Sequence, residues 1–159
     1  MSDPTPQKLV KNTVTIPVDE WSLGPLVYRE LIRRIPIGAT IVELGSGESS
    51  VAFAKIGYKV YSVEHDREFV DKHEHPNLTY IYAPLDEITG WYNIDAIRAG
   101  LPPSIGAVIV DGPTSGRENF ITQFEHAFGG KHIRCIVVDD IHRFLDGQAF
   151  LEFCSKRAL

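Results

Sequence analysis

Five short apolar runs alternate along the chain with stretches whose apolar residues recur every three or four positions. The runs cover residues 41–44, 59–64, 78–82, 105–110 and 133–138. Their length and their content of Val, Ile and Tyr predict strands. The run at 105–110 is almost unbroken, as expected of a central parallel strand buried on both faces. Between the runs, Leu26, Val27, Leu31, Ile32 and Ile35 mark a first helix, entered at Pro25 and stopped by Pro36. Val51, Ala52, Phe53 and Ile56 mark a second, closing at Gly57. Residues 67–72 predict a short helix on the outer face. Ile94, Ile97 and Leu101 predict another, Asn119 to Phe128 a longer one broken at Gly129-Gly130, and Phe144 to Cys154 a last one.

Strands alternating with helices predict an α/β fold, a three-layer sandwich with a mostly parallel twisted sheet of about five strands. The length of 159 residues fits one domain with one sizeable core. Residues 1–13 read as a flexible N-terminal segment and 14–159 as the domain, with a short extended piece at 14–18.

Chemistry concentrates where the strands end. The first strand breaks at Gly45-Ser46-Gly47 and resumes as a helix. Such a bend presents bare backbone, and the amides of the first helical turn favour a negative group. Ser49 and Ser50 can cap those amides or offer hydroxyls to a ligand. Glu64 ends the second strand, 19 positions after Gly45, close to the offset at which an acid meets a ribose in dinucleotide folds. A carboxylate suits that task because it accepts from both sugar hydroxyls. Asp111 follows the fourth strand, and Asp139-Asp140 follow the fifth. In open α/β sheets ligands bind beyond these carboxyl ends.

Composition narrows the partners. A formal charge of −5 argues against a nucleic-acid backbone, since phosphate binding needs a basic surface. Cys135 and Cys154 make no disulfide scaffold, which fits a reducing cytoplasm. Neither a secretory pattern nor an apolar run near membrane-spanning length is present, so export and membrane partners are not expected.

Glu43-Leu44-Gly45-Ser46-Gly47 resembles the first motif of the class I S-adenosylmethionine-dependent methyltransferases. The nicotinamide type wants a third glycine, where this chain has Ser50. Glu64, Asp111-Gly112-Pro113 and Asp139-Asp140 resemble the later motifs, so the likeness covers roughly residues 20–157. It implies S-adenosylmethionine as cofactor, held by Glu43, Gly45, Ser46, Gly47, Ser49, Glu64, His65 and Asp111. It implies an adenine slot at Ala83, Pro84 and Leu85, and places the N-terminal helix over the cofactor, where Trp21 either lines the site or anchors the helix. Val110-Asp111-Gly112-Pro113 followed by Gly116-Arg117 resembles methyltransferase-like proteins, some of which act on carbohydrates. The expected reaction is therefore methyl transfer to a hydroxyl of a small molecule or sugar.

Asp111 is the first candidate for orienter or general base, with Asp140 and His142 next. Asp111, Asp139 and Asp140 together could hold Mg²⁺ or Ca²⁺ through oxygen. The favoured reading has no metal, because Asp139 or Asp140 also suits the cap of the next helix. Arg143 could pair with either acid. The family sheet ends in an antiparallel hairpin that this sequence does not reach, so the hairpin is absent, supplied by a partner, or cut off. An uncovered edge makes a homodimer plausible. Two other readings stand beside the enzyme: a cofactor-binding or assembly module without catalysis, and an NAD-dependent oxidoreductase.

Overall fold

The structure, a computed structural model, describes residues 23–140 and 144–156. The expectations at residues 1–18 and at Trp21, His142 and Arg143 lie outside them. Helix α1 spans Pro25–Arg34, with Pro25 at its start and Tyr28 and Leu31 buried. Strand β1 (Thr40–Leu44) leads through the glycine bend into α2 (Glu48–Ile56), all of whose residues from Ser49 to Ala54 are buried. Gly57 ends α2 at φ +112°, a left-handed conformation that suits glycine. Strands β2 (Lys59–Glu64) and β3 (Leu78–Tyr82) follow, then α3 (Ile94–Gly100), β4 (Ile105–Val110), α4 (Phe120–Phe128), β5 (Ile133–Val138) and α5 (Phe144–Lys156).

The helix expected at 67–72 is not formed, and turns occupy that stretch. Asp66 Oδ1 accepts the Glu68 N–H at 2.9 Å, a local bond that favours a turn. Asp71 adopts φ +60°, outside the right-handed helical region. Two contacts to β3 fix the segment: Arg67 stacks on the Tyr82 ring at 3.6 Å, and the His73 N–H donates to Tyr80 Oη at 3.3 Å. A 3₁₀ turn at Arg117–Asn119 takes in the expected first helical residue, Asn119, so α4 starts one residue later at Phe120.

All four strand pairings are parallel, in the order β3-β2-β1-β4-β5. The chain runs outward from β1 through β2 to β3, then returns to place β4 on the other side of β1. That reversal opens a crevice beyond the carboxyl ends of β1 and β4. Helices cover both faces. One core joins α1 and α2 to the sheet through Tyr28, Leu31, Phe53, Tyr58 and Ile41. The other joins α3 and α4 through Ile97, Phe120 and Phe124, with Trp91 and Tyr92 from the β3–α3 connection. Among the described residues, no helix is long and apolar enough to cross a membrane.

Candidate functional site

The ends of β1 and β4 are locked at one atom. Leu44 O accepts the N–H of Asp111 at 3.0 Å and that of Gly112 at 2.6 Å. Gly45, at φ +98°, turns the chain beside them. A Cβ on Gly45 would sit 2.9 Å from Gly112 N, so only glycine allows this approach. Gly47 is extended (φ −172°), and a Cβ there would meet nothing closer than Ser49 Oγ at 3.9 Å.

Beneath the bend, Glu43 is fully buried. Its carboxyl receives Ser49 Oγ at 2.6 Å and also the Ser50 hydroxyl. Ser50 Oγ further accepts the Gly47 N–H at 3.3 Å and lies 3.1 Å from Ser62 Oγ. Ser50 thus stands where a third glycine would bring helix and strand together, and ties the two through hydroxyl bonds. Burial pushes the Glu43 carboxyl up to about 8, against the two serine bonds and helped by the charge of Asp111.

Glu64 is also buried and also occupied. Its Oε2 accepts the Ser46 N–H at 2.9 Å, and its Oε1 accepts the N–H groups of His65 (2.7 Å) and Asp66 (2.8 Å). The negative group that the bend attracts is therefore the protein's own. The Gly45 N–H donates to Val63 O at 2.9 Å, so the first three amides of the bend all have partners within the chain. His65 Nδ1 lies 2.9 Å from Glu64 Oε1 but is not aligned for a hydrogen bond, so a charge contact arises there only on protonation.

Arg117 supplies the third lock. Its side chain is 3% exposed. Nε donates to Pro113 O at 3.2 Å, Nη2 to Asp111 O, and Nη1 to Asp140 Oδ2 at 3.1 Å and Asp139 O at 3.4 Å. One guanidinium holds the loops after β4 and β5 together and draws Asp140, at φ +57°, toward itself. Asp111 remains half-buried. Burial, the charge of Asp139 and that of Asp140 push it up to about 6 against the pull of Arg117, and it shares a hydrogen bond with Asp139.

These locks surround a cavity of about 650 Å³. Its wall contains Gly45, Ser46, Gly47, Ser49, Glu64, His65, Asp111 and Asp140, all singled out from sequence. It also contains Glu48, Asp66, Phe69, Lys72, His73, Tyr92, Gly112, Pro113, Thr114, Arg117 and Asp139. Four expected contacts are not in the wall. Glu43 lies under the floor, gripping serines. Ala83 is fully buried, and Pro84 is exposed. Leu85 bridges to Tyr92 as the chain doubles back, and Tyr92 takes the place in the wall. Tyr92 and Arg117 carry no period or spacing signal; the latter stood out only through its likeness to a motif. Among the described residues, no three His, Cys, Asp or Glu side chains gather in a metal-holding arrangement. A wider, more open hollow of about 880 Å³ lies where the 71–76 turns meet β3.

No protein-family model matches the chain, and no curated protein matches it. Solved structures do. One is a TehB-like S-adenosylmethionine-dependent methyltransferase from Corynebacterium glutamicum, with TM-score 0.52, 19% identity, and coverage of 80% of this chain and 69% of that one. Another is a protein from Anaeromyxobacter dehalogenans provisionally named a type II methyltransferase, with TM-score 0.40 and 19% identity. It matches 81% of this chain, which spans only 40% of that protein's length. The Corynebacterium likeness shows the fold: a Rossmann-like α/β arrangement shared with an S-adenosylmethionine-dependent methyltransferase.

Proposed function

We propose that the chain is an S-adenosylmethionine-dependent methyltransferase that acts on a hydroxyl of a small molecule or sugar. The observation that carries this reading is the charge of the cavity at the β1–β4 crevice. Glu48, Glu64, Asp66, Asp111, Asp139 and Asp140 line it against Lys72 and Arg117, and Arg117 is already engaged. An acidic, partly enclosed wall favours a cationic sulfonium and opposes a pyrophosphate. The occupied amides of Gly45, Ser46 and Gly47 point the same way, because a dinucleotide's phosphates need such amides free. The volume suits one cofactor-sized ligand.

Bound S-adenosylmethionine supplies an electrophilic methyl group; the chain's own residues do the rest. Gly47 and Ser49 border the ligand along the bend, and Glu64 turns toward it the acceptor capacity its three amides leave. Asp111 receives the acceptor's hydroxyl proton. Its carboxyl sits near neutrality, as a general base requires. Arg117 holds Asp140 Oδ2 at 3.1 Å and fixes that carboxylate where it can orient the acceptor. Holding the hydroxyl in line supplies much of the acceleration.

The test is a thermal shift with S-adenosylmethionine, S-adenosylhomocysteine and NAD, followed by methylation assays on hydroxylated acceptors. Selective stabilisation by the first two is expected. Stabilisation by NAD alone would overturn the reading.

A further inference from the structure

Tyr92 stands in the cavity wall with its hydroxyl unused. The residue is 1% exposed, and its Oη has no hydrogen-bond partner among the described residues. Burying a hydroxyl without a partner costs stability, so such atoms are rare in folded proteins unless a ligand or water completes them. The ring is held on several sides. Trp91 meets it edge-on at 5.6 Å and His65 at 5.9 Å, while Leu85 bridges to its backbone. Gly112 leaves room for the hydroxyl: a Cβ there would lie 2.3 Å from Oη. The group is therefore aimed by packing at the floor where the bends after the paired strands β1 and β4 meet, beside Gly112.

Its neighbours select what it meets. Burial first, then the charge of Glu64, raise the hydroxyl's pKa well above its usual value, so it stays protonated. Carboxylates near it oppose an anionic partner, and a cation offers no acceptor. A neutral sugar hydroxyl fits, because it can accept from Tyr92 and donate to a carboxylate. Glu64 alone is poorly placed to recognise a ribose diol, since three backbone amides already bind its two oxygens.

We propose that the Tyr92 hydroxyl is a cofactor-binding group which, with Glu64, completes recognition of the ribose hydroxyls. This rests on the S-adenosylmethionine reading above. The role belongs to a residue outside the strand-end motifs, contributed by the folded-back β3–α3 connection.

The experiment compares the parent protein with Tyr92→Phe by calorimetric titration. The ligands are S-adenosylhomocysteine and its analogues lacking the ribose 2′- or 3′-hydroxyl. Phe keeps the ring packing and removes an unpartnered polar atom, so the variant should melt no lower than the parent. The expected result is affinity about fivefold to tenfold weaker for S-adenosylhomocysteine, with that difference abolished for one deoxy analogue. Equal affinity of parent and variant would overturn the proposal while leaving the cofactor assignment intact. The same loss on every analogue would also overturn it, because the hydroxyl would then serve another part of the ligand. Failure of the parent to bind S-adenosylhomocysteine would remove the cofactor reading, and the proposal with it.

Discussion

The carboxylate of Glu64 accepts the N–H of Ser46 at 2.9 Å, joining the end of β2 to the bend after β1. The same group accepts two further backbone N–H groups, so it holds one loop against another before any ligand is considered. Glu64→Gln keeps the shape but sets an amide donor against backbone donors. It should cost about 1–3 kcal/mol of stability and weaken S-adenosylhomocysteine binding together with it. Urea melts and titration calorimetry on one preparation measure both.

Gly45 and Gly47 should behave differently. The space beside Gly45 belongs to the backbone of Gly112, and its φ of +98° excludes most side chains. Gly45→Ala should therefore destabilise by about 2–4 kcal/mol through strain and clash. Gly47→Ala adds a methyl in open, extended backbone on the cavity wall. It should melt close to the parent and lose ligand affinity instead. Paired thermal melts, with and without S-adenosylhomocysteine, separate the two effects.

Two acids, Glu43 fully buried and Asp111 half-buried, set the pH dependence. The folded-state pKa of Glu43 lies near 8 against an ordinary value of 4.5, and that of Asp111 near 6 against 3.8. Both folded values are raised, so their contribution is fully present below the ordinary values. It is lost as pH rises through about 6 for Asp111 and about 8 for Glu43. Stability should thus decline across this window, each acid adding a slope of at most about 1.4 kcal/mol per pH unit. Glu43→Gln should flatten the upper part of the curve, which denaturant melts at a series of pH values would show.

Activity should follow Asp111 in the opposite sense. Protonation disables a base, so methyl transfer should fall as pH drops through about 6. Asp111→Asn should lower the rate about 10²–10⁴-fold while leaving S-adenosylhomocysteine affinity within a few-fold. A pH–rate profile and titrations on the variant check both halves.

Arg117→Ala should be severe. It strips a buried guanidinium from three backbone carbonyls and from Asp140, leaving acceptors and a charge without their partner. A loss of about 3–5 kcal/mol is expected, read from denaturant melts.

The strands and most helices were legible because each rests on a local signal. Apolar runs mark β1 to β5, Pro25 and Pro36 bracket α1, and Gly57 closes α2. The turns at 67–72 were not, because a weak helical pattern there yields to Asp66, Asp71 and contacts made to β3. In the candidate site, the spacing from Gly45 to Glu64 identified the acid but not its three amide donors, which depend on how the β1 and β2 loops meet. Tyr92 enters the wall only because the chain doubles back at Leu85. A fold-back of that kind leaves no periodicity, and the buried reach of Arg117 across two strand ends leaves none either.

Calorimetric titration of the purified chain with S-adenosylhomocysteine, beside NAD, tests the central claim most directly. The cofactor-sized crevice between β1 and β4 predicts saturable one-to-one binding of S-adenosylhomocysteine, weakened by Gly47→Ala, and no binding of NAD. Binding of NAD alone, or S-adenosylhomocysteine binding indifferent to Gly47→Ala and Tyr92→Phe alike, would contradict it.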